Sequence, residues 1–207
     1  KVKNIKLAAY WDLIEPEKNK YNFEDLDWQI NKAEEKGANL LLVIGMKIPR
    51  WPECHIPEWV KNPTPTPKGR GSDRSVGEFK MQNALLEYIG KIVDRYKDSN
   101  AIWAWQVENE PLFPFGECPK VDKNLLKKEI ELVKSLDVKA GPVLISDSGE
   151  WSFWIQSAKL GDIVGTTIYE KVWFKELKTY IRYPFPPVFY WRKAQIIKKL
   201  FNKKVIN

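Results

Sequence analysis

Histidine and cysteine are nearly missing from this chain, whose 207 residues hold one His and two Cys. With His55 alone, no His-Glu-x-x-His zinc motif exists, and a Ser-His-Asp or Cys-His triad has no imidazole to spare. Two thiols do not make a tetrahedral metal site, so no metal is expected. No Gly-x-Gly-x-x-Gly or other phosphate-cradling loop follows any strand, which argues against nucleotide binding, and no cofactor is implied. No stretch approaches the ~20 consecutive apolar residues of a membrane span. The chain opens at Lys1 rather than Met, so the lack of a visible leader says nothing of export. There is no internal repeat, low-complexity tract or interdomain linker, and the length suits a single domain over 1–207.

Aromatic residues, by contrast, are plentiful: ten Trp, eight Tyr and nine Phe. Most belong in a core, but flat ring faces also stack on ligands. The net charge is +7, from 34 Lys and Arg against 27 Asp and Glu. The basic residues are scattered over polar helix faces, as in the segment from Asn124 to Lys134. The densest patch, Arg192 to Lys204, alternates with Ile196, Ile197, Leu200 and Phe201 at helical spacing. The bland reading, a solvated helix face, is preferred, and no nucleic-acid partner is expected; salt-sensitive binding to DNA or RNA would revive it.

The elements alternate. Strands are expected over Asn4–Trp11, Asn39–Met46, Ala101–Val107, Pro142–Ser146 and Asp162–Tyr169, and another begins at Lys204. Helices are expected over Phe23–Lys36, Glu78–Tyr96, 124–135, near Trp151–Leu160 and over 193–202. A Pro-rich loop covers Lys47 to about Ser75, and Glu170–Arg192 reads as irregular. Strand 39–46 is apolar on both faces, the mark of a parallel sheet. Strand–helix order without hairpin signals gives an α/β fold with parallel strands, whose function sits at the strand C-termini in a barrel or a doubly wound sheet alike.

One strand end stands out. Trp105-Gln106-Val107-Glu108-Asn109-Glu110-Pro111 closes a buried strand, and Pro111 cannot continue the ladder. A carboxylate in such a place is costly unless it is hydrogen-bonded or used. The Asn109-Glu110-Pro111 strand end resembles the acid/base motif of clan A glycoside hydrolases, retaining (β/α)8-barrel enzymes. Tyr10-Trp11-Asp12-Leu13-Ile14-Glu15-Pro16, with Tyr21-Asn22-Phe23, Leu26-Asp27, Ala33 and Gly37, is similar to that clan's second-strand-to-helix segment. Arg50-Trp51-Pro52 and Pro57-Glu58-Trp59 look like its loop after strand three. The resemblance covers essentially all of 1–207 and implies a (β/α)8 TIM barrel of which about strands two to seven are present. Such a barrel usually takes ~250 residues. Strand one is then expected before Lys1, and most of strand seven and all of eight after Asn207.

Retaining cleavage needs two carboxyl groups about 5–5.5 Å apart, one protonating the leaving oxygen and one attacking the anomeric carbon. The resemblance gives Glu110 the acid/base role, with its pKa raised by burial and a neighbouring carboxylate. It gives Asn109 the hydrogen bond to the sugar 2-OH. The alternative for Glu110 is a carboxylate capping the next helix. Glu108 reads as a packing or supporting carboxylate. The nucleophile is expected at the end of strand seven, beyond Asn207; Asp147, Glu150 and Glu170 are the in-chain candidates and none is promoted. Tyr169 is placed like the clan's Tyr that bonds the nucleophile, or is a core-edge Tyr. Trp11 and Trp51 are candidate stacking platforms, or packing residues. His55 and Asp147 are candidate sugar hydrogen-bonders; for Asp147 the alternative is a turn or helix cap.

Cys54 and Cys118 fall just after strands three and four of the implied barrel, so a disulfide across the rim is predicted, the alternative being two free thiols. A disulfide would favour an exported protein; the compartment is otherwise open, as are oligomeric state and sugar specificity. The expected function is hydrolysis of β-glycosidic bonds in a glycan or glycoside by double displacement. The rival is a non-catalytic carbohydrate-binding barrel.

Overall fold

The computed structural model describes residues 2–61, 74–119, 121–139, 141–174 and 177–207. Strand β1 (Asn4–Ala8) is followed by one helical turn, α1 (Trp11–Ile14), and by α2 (Glu24–Glu35). Helix α2 buries Leu26, Ile30 and Ala33, four and three residues apart and hence on one face. Gly37, at φ +60, ends it in the left-handed conformation. Strand β2 (Asn39–Ile44) then runs parallel to β1, Asn4 opposite Asn39. Of the expected Pro-rich loop, residues 62–73 lie outside the described residues, and its last residues, Arg74 and Ser75, already belong to a helix.

After α3 (Glu58–Lys61) and the long α4 (Arg74–Tyr96) come β3 (Ile102–Val107), α5 (Lys123–Leu136) and β4 (Val143–Ser148). The Asp122 carboxylate accepts the Asn124 and Leu125 N–H groups and so caps α5. Next are α6 (Ile155–Leu160), β5 (Ile163–Thr167), β6 (Lys171–Phe174), β7 (Thr179–Arg182), α7 (Pro187–Phe201) and β8 (Lys204–Ile206). The main sheet has six parallel strands in the order β1-β2-β3-β4-β5-β8. Neighbours in sequence are neighbours in space, and helices make the crossovers. This is the winding of a (β/α)8 barrel, present as a curled partial barrel.

The segment 170–192 departs from the expectation. Strands β6 and β7 form an antiparallel ribbon, Trp173 opposite Tyr180. Helix α7 starts at Pro187 rather than 193, because proline fits the first helical position, where its missing N–H has no partner to lose.

The main core lies between the sheet and the helices, with Leu40, Leu42, Ile44, Trp105, Val107, Val143 and Ile145 against Leu85, Ile89, Leu125, Ile130 and Val133. Trp11 belongs to it. Its indole stacks on Tyr88 at 5.4 Å, meets Trp59 edge-on, and donates to Glu15 at 2.8 Å. With no exposed surface, it packs the interior and is no platform for a sugar ring. The chain leaves β1 after Ala8 and turns helical at Trp11, which rotates this side chain inward. A smaller core joins Trp154, Ala158, Val164 and Ile197.

Candidate active site

The loops after β2 and β3 are joined by a Cys54–Cys118 disulfide, Cα atoms 5.2 Å apart and 64 residues apart in sequence. Beside it the chain leaves β3 through Glu108 and Glu110, both left-handed at φ +58 and +45. Two such residues in three are uncommon outside glycine and mark a backbone held by its surroundings. Lys47 supplies much of that hold. Its carbonyl accepts the Asn109 N–H at 2.6 Å, and its own N–H donates to Glu108 at 2.5 Å. Its buried ammonium donates to the carbonyls of Glu110 (3.0 Å) and Phe113 (2.7 Å).

Glu110 is 8% exposed. Its N–H donates to the Ser146 hydroxyl at 2.8 Å, and Oε1 accepts the Thr167 hydroxyl. It caps no helix. Burial raises its carboxyl above the usual range, and the charges of Glu53 and Asp147 push the same way; Thr167 and Lys47 oppose them. A carboxyl whose pKa is raised in this direction suits a general acid. A hollow of about 360 Å³, lined in part by the apolar Ile5, Leu41, Trp103 and Leu144, reaches Ser146 and Thr167, which touch Glu110; Glu110 itself does not line it.

Asn109 is buried beside it. Its Oδ1 accepts from Gln106 at 3.3 Å, and its Nδ2 donates to Glu53 at 3.2 Å. An amide offers two donors and two acceptor sites, so one of each remains for a ligand.

The other candidates are spread around this centre. Trp51 is exposed, its ring 6.3 Å from that of Phe115 at an interplanar angle of 70°. Tyr169 is half-exposed; burial first, then the charges of Glu110, Glu53 and Glu150, raise its pKa. His55 is 8% exposed, its ring nitrogens 3.3 Å from Asp12 and from the Arg50 carbonyl, so it ties rim loops together. Asp147, within β4, accepts the Ser148 N–H and the hydroxyls of Ser152 and Ser157. Glu150 accepts the Tyr169 N–H and the Tyr190 hydroxyl, while Glu170 is an exposed partner of Arg182. Among the described residues no group of His, Cys, Asp and Glu is placed to hold a metal ion, and no helix is long and apolar enough to cross a membrane.

Sequence reasoning missed Lys47, Glu53, Ser146 and Thr167. A lysine at the end of an apolar strand is a signal that an acceptor waits there. Glu53 adjoins a cysteine expected to bridge towards the Glu110 loop, which was enough to bring it near.

The profile of the Beta-galactosidase family, glycoside hydrolase family 42, matches residues 1–125. The chain belongs to this glycoside hydrolase family. A probable mannan endo-1,4-beta-mannosidase A of Aspergillus niger is 38% identical over 73 residues, 33% of this chain and 18% of its own length. The beta-galactosidase LacZ of Lactobacillus acidophilus is 24% identical over 168 residues, 75% of this chain and 24% of its own. The chain thus spans about a quarter or less of these curated relatives. In fold, native xylanase 10B of Thermotoga maritima superposes with a TM-score of 0.67 at 16% identity, over 97% of this chain and 60% of that one. The family 42 profile covers β1 to the start of α5, and so includes the Glu110 turn.

Proposed function

We propose that the protein carrying this chain hydrolyses β-glycosidic bonds in a glycan or glycoside by retaining double displacement, with Glu110 as acid/base. The observation that carries this is a buried carboxyl at a barrel strand's C-terminal end, with a raised pKa, beside an Asn that has hydrogen bonds to spare. Membership in family 42 supports the reaction class. In the first step Glu110 gives its proton to the glycosidic oxygen as a second carboxylate attacks the anomeric carbon. In the second it takes a proton from water, which releases the sugar with the anomeric configuration retained. Asn109 holds the 2-OH, and Trp51 and Tyr169 border the sugar. The resemblance puts the nucleophile at the end of the strand that β8 begins, so the reading requires a carboxylate there.

The test is to express the whole reading frame and assay 4-nitrophenyl β-glycosides, β-galactosides and β-mannan, following the first-formed anomer by proton NMR. Retention is expected. Glu110→Ala should slow glycosides with poor leaving groups far more than activated aryl glycosides. Unchanged turnover in that variant, or an inverted product, removes the assignment. Saturable glycan binding without turnover, insensitive to Glu110→Gln, establishes the non-catalytic barrel instead.

A further inference from the structure

Glu53 is a carboxylate that the acid/base mechanism does not call for. It is 9% exposed, while its loop neighbours Arg50 and Trp51 are open to solvent. Several contacts hold it. Its N–H donates to the Arg50 carbonyl and its carbonyl accepts the Ile48 N–H, both at 2.7 Å. Glu117 N–H donates to the Pro52 carbonyl at 3.0 Å, and Cys54 is tied to Cys118. Gly116, at φ +88, lies so close that a Cβ there would stand 2.5 Å from the Glu53 Cβ. Two segments from different loops therefore fix the Glu53 backbone, and Asn109 holds its carboxylate, the usual mark of a preorganised group.

We propose that Glu53 is a positioning residue of the glycosidase site: its carboxylate aims the Asn109 amide at the ligand and sets a fixed negative charge beside Glu110. The inference rests on the acid/base reading of Glu110. The bond from Asn109 Nδ2 to Glu53 Oε2, with Gln106 on Oδ1, fixes which end of the amide is which. The second Nδ2 hydrogen then faces away from Glu53, where it donates to a sugar hydroxyl. Glu110 faces Lys6 on β1, Lys47 and Glu53 on the loop after β2, Asp147 on β4 and Tyr169 after β5. The Lys47 ammonium, spent on two carbonyls, opposes three carboxylates, Glu53, Glu108 and Glu110. Removing the Glu53 charge removes one reason for Glu110 to keep its proton, while Asp147 and burial remain.

The experiment is a carbon-13 NMR titration of glutamate carboxyls in the protein expressed from the whole reading frame, with the Glu110 signal assigned by its loss in Glu110→Gln. Glu53→Gln should make Glu110 a stronger acid, its acidity constant rising about threefold or more, and Glu53→Asp should fall between. An unchanged Glu110 titration in folded Glu53→Gln overturns the proposal. The Asn109 side-chain NH2 signals, assigned by their loss in Asn109→Asp, should shift in Glu53→Gln and in Glu53→Asp, since the bond to Glu53 is altered in both; signals that keep their wild-type positions overturn it as well. In the catalytically active protein, Glu53→Gln should lower the alkaline limb of kcat/KM, which a purely structural role leaves in place. Absence of turnover in the wild type strikes the proposed function, whereas a still Asn109 amide or an unmoved Glu110 strikes this inference.

Discussion

Glu108 and Glu110 stand two residues apart at one strand end, and burial raises both carboxyls. Glu108 has no exposed surface. It accepts the N–H groups of Met46 and Lys47 and faces Glu129, which α5 brings into the same dry space. Its pKa is pushed up to about 7, and burial together with the Glu108 charge holds Glu129 well above the carboxylate range. Glu110 instead bonds to Thr167, beside the concave hollow, with 8% of its surface open. A raised carboxyl is therefore not by itself a catalytic one. Access and a surrounding that works in both protonation states separate the two, and left-handed turns at 108 and 110 send neighbouring carboxyls into such different places.

The largest contrast should appear on substitution. Glu110→Gln in the active protein should cost about 10²–10⁴ in kcat/KM on unactivated glycosides, with a melting temperature at or above the wild type. Glu108→Ala should do the reverse at the level of the fold. It strands two buried N–H groups, each costing about 1–3 kcal/mol, and urea denaturation should read a loss of about 2–5 kcal/mol. Gly45 shows how tightly that carboxylate is packed, since at φ +119 a Cβ would lie 2.4 Å from Glu108 Oε1. A Glu108→Ala protein of wild-type stability would erase the distinction drawn between the two residues.

Glu129→Gln sharpens the comparison through pH. The folded pair binds protons more tightly than the unfolded chain, so its contribution to stability is full below about pH 4.3 and is lost as pH rises. The loss continues through the value near 7 at Glu108. One such group gives a slope of at most about 1.4 kcal/mol per pH unit. Glutamine removes a titrating group and keeps a donor, so stability measured from pH 4.5 to 8 should fall less steeply, by about 1–2 kcal/mol at the alkaline end. An identical slope would mean that the pair does not hold the extra proton.

Much of the fold was legible because strand and helix periods alternate cleanly from Asn4 to Val164, and Gly37 and Pro111 punctuate the ends. The ribbon at 171–182 was not, since two four-residue strands carry too little pattern to register. Trp11 sat in a segment read as strand, and the side of a ring is decided by where the strand stops. The Glu110 turn could be placed at a strand end from local residues alone. Its partners could not: Lys47 and Glu53 reach it and Asn109 from 63 and 56 residues away in sequence, and Thr167 from 57. Long-range pairing of this kind leaves no periodic trace in any one segment.

The smallest effect should come from Thr167→Val, which separates access from charge at Glu110. The hydroxyl donates to Oε1 and so favours the ionised carboxyl. Valine keeps the shape and removes the donor, and Glu110 should then hold its proton to a higher pH. A hydrogen bond to a charged group is worth about 1.5–3 kcal/mol and one to a neutral group about 0.5–1.5, so the difference that sets this shift is on the order of 1 kcal/mol. The alkaline limb of kcat/KM should move up modestly, opposite in sign to Glu53→Gln, with little change at the plateau. Two neighbours that move the same limb in opposite directions identify Glu110 as the group that titrates there. If both variants left that limb in place, the proton would belong to another residue.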